Sequence, residues 1–132
     1  MPRSGFSRRL FGDRGERAAA KFLRRQGMRI VARQVETRWG ELDLIARDGD
    51  TIVFVEVKTR SSQSQTHPSE AVDRRKQANL TKAALYWLKQ KGLLEHRTRF
   101  DVVTLIWPED AKQPEIEHFV NAFEAADLGQ WF

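Results

Sequence analysis

The sequence predicts one α/β domain, a sheet flanked by helices, with elements in the order α-β-β-β-α-β. Three observations point there. Two segments space their apolar residues at helical intervals, four extended segments are rich in Val, Ile, Phe and Leu, and an Asp48-Gly49-Asp50 turn signal joins two of them. At 132 residues the chain is the size of one ordinary domain.

Residues 1–12 are Arg-rich and acid-poor, and read as a flexible basic tail ahead of a domain at 13–132. GDRGERAAAKFLRRQG predicts a helix from about Arg14 to Gln26, with Asp13 as its cap, Glu16 as the capping-box partner and Gly27 as its stop. The extended segments MRIVARQV, WGELDLIAR and TIVFVEVK then form a β-meander. A polar stretch from Ser61 to Ser69 reads as a mobile loop. From Glu70 to Lys91, Val72, Leu80, Ala83, Ala84 and Trp87 recur at helical spacing, and Gly92 closes the segment. RFDVVTLIW, ended by Pro108, is an apolar strand; Glu115 to Asn121 adds an edge strand before a short helix at about Ala122 to Asp127. Trp39, Trp87 and Trp107 read as core, and His67, His96 and His118 show no metal-ligand spacing.

Composition narrows the function. With no cysteine there is neither a thiolate zinc site nor a cysteine nucleophile, and a reducing, cytoplasmic setting is expected. No apolar run reaches membrane-spanning length, so no membrane partner is expected. Residues 1–38 carry 11 Lys or Arg against 3 acids, whereas residues 109–132 carry 1 Lys against 6 acids. A field so lopsided favours a polyanionic partner at the basic end.

The hairpin between the second and third extended segments supplies the chemistry. If its loop has an even number of residues, Asp43 and Glu56 fall on one face, because directly opposite residues share a face. Lys58 has the parity of Glu56, while Val53, Val55 and Val57 point the other way. Two carboxylates suit a hard divalent cation such as Mg²⁺ or Mn²⁺, and a nearby ammonium can steer a water or offset charge on a phosphoryl oxygen. An odd, unbulged turn would dismantle the arrangement. Glu16 has two readings. It is the capping partner of Asp13, or, sharing a stripe with Ala19, Ala20 and Leu23, it faces the sheet and reaches the metal site.

Taken together, GERAAAKFL, GELDLIARDG, FVEVKTR, AVDRRKQANLTKAALYWL and RFDVV resemble the YraN-like family of small bacterial proteins, from about Gly15 to Phe123. The resemblance implies the restriction-endonuclease-like fold of the PD-(D/E)XK superfamily, a mixed central sheet flanked by helices. It implies an Mg²⁺- or Mn²⁺-dependent endonuclease acting on DNA, branched or structured DNA included. Position by position, Asp43 matches the first acid, Glu56 and Lys58 the EVK pair, and Glu16 the helix acid; the Val57 carbonyl is a further candidate ligand. The chain departs from the family pattern at Leu42, where superfamily members often have proline, and in its Ser/Gln-rich loop after Arg60.

Arg38, Arg60, Arg74 and Arg75 flank the hairpin and loop and are candidate phosphate contacts as a cluster. Lys76 shares a stripe with Val72, Leu80 and Ala83, so it reaches the site or a bound phosphate, or snorkels to solvent. The rival to catalysis is a nucleic-acid-binding module on a nuclease scaffold; a protein-interaction role for the acidic C-terminus and a homodimer also remain open.

Overall fold

The computed structural model describes residues 5–61 and 72–129, of which 5–11 by backbone alone. Helix α1 (Gly5–Arg25) leads into strands β1 (Arg29–Thr37), β2 (Gly40–Asp48) and β3 (Thr51–Arg60), followed by helix α2 (Arg74–Lys91) and strands β4 (Arg97–Ile106) and β5 (Glu115–Phe123). The sheet order is β1-β2-β3-β4-β5. Pairing is antiparallel except between β3 and β4, which run parallel because α2 carries the chain back to the end of the sheet at which β3 begins. This is the mixed sheet between helices of a restriction-endonuclease-like core, as the sequence predicts.

Two apolar layers hold it. On one face Ala19, Ala20 and Leu23 of α1 pack on Leu44, Val53, Val55, Val103 and Leu105. On the other, Leu80, Ala84 and Trp87 of α2 pack on Ile45, Phe54, Phe100 and Val102. Alternate residues of β3 and β4 serve opposite layers, as the two-residue period of a strand requires. Gly15 sets the spacing of α1. A Cβ there would lie 1.9 Å from the Thr59 hydroxyl and 2.9 Å from its Cβ, so only glycine lets the helix ride this close to β3.

Several boundaries differ from expectation. Helix α1 begins well before Arg14, since Gly5 to Gly12 contains no proline or β-branched residue to stop it. Asp13 therefore lies inside the helix and is no N-cap; its carboxylate instead accepts the Gln34 side-chain amide at 2.6 Å. Helix α2 starts at Arg74, where Asp73 accepts the Lys76 amide as its cap. The expected start at Glu70, His67 and all of the expected loop but Ser61 lie outside the described residues. No helix forms at Ala122 to Asp127: Ala122 and Phe123 extend β5, where Phe123 stacks on Phe100 at 4.9 Å, and the Ala126 amide bonds the Thr81 hydroxyl. Trp87 and Trp107 are buried, but Trp39 is only half-buried at the margin of the α2 layer. Among the described residues no helix is long and apolar enough to cross a membrane.

Candidate metal centre

The β2–β3 hairpin turns through Gly49 and Asp50, with Asp48 paired to Thr51. Gly49 takes φ +60°, as the first central residue of a type II′ turn needs. The even loop sets the register Leu44↔Val55 and Ile45↔Phe54, and carried one step further it would oppose Asp43 to Glu56. The regular ladder ends before that step. Leu42 packs in the α2 layer and Leu44 in the α1 layer, although residues two apart in a regular strand share a face. The strand therefore rotates at Asp43, and its carboxylate Oδ2, rather than a backbone carbonyl, accepts the Val57 amide at 2.8 Å. Gln34, across from this break on β1, sits at φ +51°.

Asp43 thereby meets side chains from both layers. Carboxylate oxygens of Glu16 on α1 and of Glu41 and Asp43 on β2 lie within 4.8 Å of one another. Glu56 hydrogen-bonds Asp43 and forms an ion pair with Lys76 from α2. Both Glu16 and Glu56 are buried, and Glu16 Oε1 has no hydrogen-bond partner among the described residues.

Crowding buried carboxylates disfavours their charge. Burial, and then the Glu56 carboxylate, push the Asp43 carboxyl up to about 8, against the opposing bond from the Val57 amide. Burial and Glu41 push Glu16 up to about 7, with partial relief from Gln34 and Arg33. Glu41 is raised as well, by burial and then Glu36. Lys76 is pulled down by burial, but Glu56 and Asp43 outweigh this and its ammonium is held more firmly charged.

These residues fit a hard divalent cation. All the donors are carboxylate oxygens, as Mg²⁺ and Mn²⁺ prefer, and Glu16 Oε1, without a hydrogen-bond partner among the described residues, is left available as a ligand. Glu16, Asp43 and Glu56 are thus brought together as the sequence suggests, and Glu16 belongs to the carboxylate cluster rather than to a helix cap. Lys58 follows Glu56 by two residues on β3, half-buried, and among the described residues it makes no ion pair. Arg75 and Lys76 line the cleft over the carboxylates, whereas Arg38, Arg60 and Arg74 do not. Glu41 escaped the sequence reading, although its place two residues before Asp43 on an alternating strand was a usable signal.

The Uncharacterised protein family UPF0102 matches residues 15–105, a span that includes every carboxylate of the cluster. The chain belongs to this family. A UPF0102 protein of Geobacter sulfurreducens is 49% identical over 119 residues, covering 89% of this chain and 91% of its own. One from Rhodopirellula baltica is 47% identical over 124 residues, covering 92% and 74%, and one from Trichlorobacter lovleyi is 43% identical over 127 residues, covering 96% and 99%. Membership of UPF0102 agrees with the YraN-like pattern in the sequence, and the family's description assigns no activity.

Proposed function

We propose that this chain is a metal-dependent endonuclease that hydrolyses phosphodiester bonds in DNA, including branched or structured DNA, in the cytoplasm. The observation that carries the reading is the partnerless, buried Glu16 Oε1 beside Glu41 and Asp43, with Glu56 hydrogen-bonded to Asp43. Such a group persists in a folded core only where something compensates it.

Asp43 and Glu56 would hold Mg²⁺ or Mn²⁺, with Glu16 and Glu41 as direct or water-bridged ligands and the Val57 carbonyl as a further one. The ion would supply Lewis acidity at the phosphoryl oxygen and a nucleophilic water at neutral pH. The chain's own groups do the rest. The Val57 amide fixes the Asp43 carboxylate, and Gly15 lets α1 ride close to β3 where Glu16 reaches Glu41 and Asp43 of β2. Lys58, unpaired with the carboxylates, is available to orient water or to offset phosphoryl charge as it develops. Arg75 and Lys76 at the rim meet the phosphate backbone.

Incubating structured DNA substrates with Mn²⁺ and either the wild type or the Asp43→Ala and Lys58→Ala variants tests this. Cleavage by the wild type, lost in both folded variants, is the expected result; product from both variants overturns it. One observation favours the rival, a binding module without turnover: Lys76 already gives Glu56 a cationic partner. That reading requires salt-sensitive DNA binding in EDTA and no product on any substrate.

A further inference from the structure

The outer face of α1 carries cations alone. At 3.6 residues per turn, Arg14, Arg17, Lys21, Arg24 and Arg25 fall within an arc about 100° wide, and all five are exposed. Gly15, Glu16, Ala19, Ala20 and Leu23 are buried on the opposite side. The two acids of α1 are engaged elsewhere: Asp13 accepts the Gln34 amide, and Glu16 meets Glu41 and Asp43. Among the described residues Arg17, Lys21, Arg24 and Arg25 make no ion pair. Arg14 is held by an aromatic ring, its guanidinium lying 3.7 Å over Trp107.

A helix face that is only solvated mixes its charges, because acid–base pairs three and four residues apart stabilise a helix and like pairs do the opposite. Here Arg14 and Arg17, Arg17 and Lys21, Lys21 and Arg24, and Lys21 and Arg25 are all like pairs at those spacings. The helix dipole favours Arg24 and Arg25 in the last turn, but it does not reach Arg14, Arg17 or Lys21. A polyanion laid along the face relieves the repulsion. From Arg14 to Arg25 the helix rises about 17 Å, the axial rise of about five phosphates on one DNA strand. An anionic membrane fits less well. The apolar stripe of α1 is buried against the sheet, and the exposed large apolar side chains among the described residues, Val31, Tyr86, Leu94 and Val120, lie on other segments.

We propose that the outer face of α1 binds the phosphate backbone of a DNA duplex, as a surface separate from the carboxylate cleft. Helices α1 and α2 cover opposite faces of the sheet, so these cations are distinct from Arg75 and Lys76 at the rim of the cleft. The choice of DNA rests on the nuclease reading, but the surface itself uses neither metal nor carboxylate. Its contacts go to phosphate, so it holds a duplex without regard to base sequence.

Fluorescence anisotropy on a labelled duplex in EDTA, repeated over a range of KCl concentrations, tests it. Each phosphate contact adds about 0.9 to the slope of log affinity against log salt, so the triple variant Arg17→Gln, Lys21→Gln, Arg24→Gln should lower that slope by about 2 to 3 and weaken binding about 10-fold or more at low salt. Lys21→Gln alone should lower it by about 1. Glutamine matches lysine and arginine in helix propensity and the three side chains are exposed, so the melting temperature should not fall. The control Lys91→Gln, Arg97→Gln, Lys112→Gln removes three exposed cations from other segments and should leave the slope nearly unchanged. Arg17→Lys with Arg24→Lys keeps both charges and should keep the wild-type slope. A wild type that does not bind, an unchanged slope in the first variant, or an equal loss in the control overturns the proposal. So does binding to phosphatidylserine vesicles that the first variant loses while its DNA affinity holds. The expected loss of slope in a protein that cleaves nothing with Mg²⁺ or Mn²⁺ supports the α1 surface and sinks the nuclease reading. Cleavage with an unchanged slope does the reverse.

Discussion

The Asp43 carboxylate accepts the Val57 amide at 2.8 Å, one residue past the point where the β2–β3 ladder ends at Leu44 and Val55. A side chain has replaced a backbone carbonyl as acceptor, so Asp43 belongs both to the sheet's hydrogen bonding and to the acidic site. Asp101 does the same on the other side of the sheet, where its buried carboxylate accepts the Asn121 amide at 2.9 Å beside a shift in the β4–β5 register. Asp101 is satisfied by Arg99 and His118; Asp43 is surrounded by acids.

This contrast predicts the behaviour of Asp43→Asn. The amide oxygen can still accept from Val57, while the buried charge is gone. The variant should be more heat-stable than the wild type near pH 8 in EDTA, by about 1–3 kcal/mol, as relief of an unfavourable buried charge warrants. Mn²⁺ should no longer raise its melting temperature. A wild-type Mn²⁺ shift in this variant would remove Asp43 from the ligand set.

The raised carboxyls also set a pH dependence. Asp43 moves from 3.8 to about 8 and Glu16 from 4.5 to about 7, so the metal-free folded state holds protons that the unfolded chain releases. That stability is complete below about pH 4 and is lost as pH rises through about 7 and then about 8. One unit is worth about 1.4 kcal/mol, so even two retained units give about 3 kcal/mol, on the order of 10 °C for a domain of this size. Thermal melts in EDTA should therefore fall between pH 5 and 8. Mn²⁺ at the upper end should restore the loss and release protons on binding. A melting temperature independent of pH in EDTA would show that these groups are not buried as described.

How much of this was readable beforehand follows from which interactions are local. The parity of Asp43 and Glu56 depends only on hairpin length, which the Asp48-Gly49-Asp50 signal constrains, and the stripe of Ala19, Ala20 and Leu23 placed Glu16 toward the sheet. The rotation of β2 at Asp43 was not legible, because it comes from tertiary packing that puts Leu42 and Leu44 in opposite layers. The stripe of Val72, Leu80 and Ala83 offers Lys76 to the site, but its choice of Glu56 as partner depends on where α2 lands after the crossover. The helix expected at Ala122 failed because local propensity yielded to the Phe100–Phe123 stack across β4 and β5.

The two lysines separate by experiment. Lys76 partners a buried carboxylate but is itself only half-buried, so Lys76→Met should cost the metal-free protein about 1 kcal/mol. It should also raise Mn²⁺ affinity several-fold, since an ammonium no longer competes for Glu56. Lys58→Met should leave the melting temperature and Mn²⁺ affinity unchanged and reduce cleavage by about 100-fold or more. Calorimetric Mn²⁺ titrations beside cleavage rates distinguish them. Lost turnover in Lys76→Met with normal turnover in Lys58→Met would transfer the water-orienting role to α2.

Gly15→Ala tests whether α1 must ride close to β3. Alanine gains up to about 1 kcal/mol in helix propensity over glycine, which favours the variant if the site is roomy. The site is not. Rotating Thr59 can move its hydroxyl away from the 1.9 Å clash, but its Cβ stays at 2.9 Å, so backbone must separate from backbone. Overpacking of this kind costs about 1–3 kcal/mol and outweighs the propensity gain. The variant should melt lower than the wild type. Because Gly15 adjoins Glu16, the same displacement draws the Glu16 carboxylate away from Asp43, so Mn²⁺ affinity should fall several-fold as well. Replacing Thr59 by Ala in the Gly15→Ala background removes part of the clash and should recover part of both losses; no recovery in either would locate the defect elsewhere in α1.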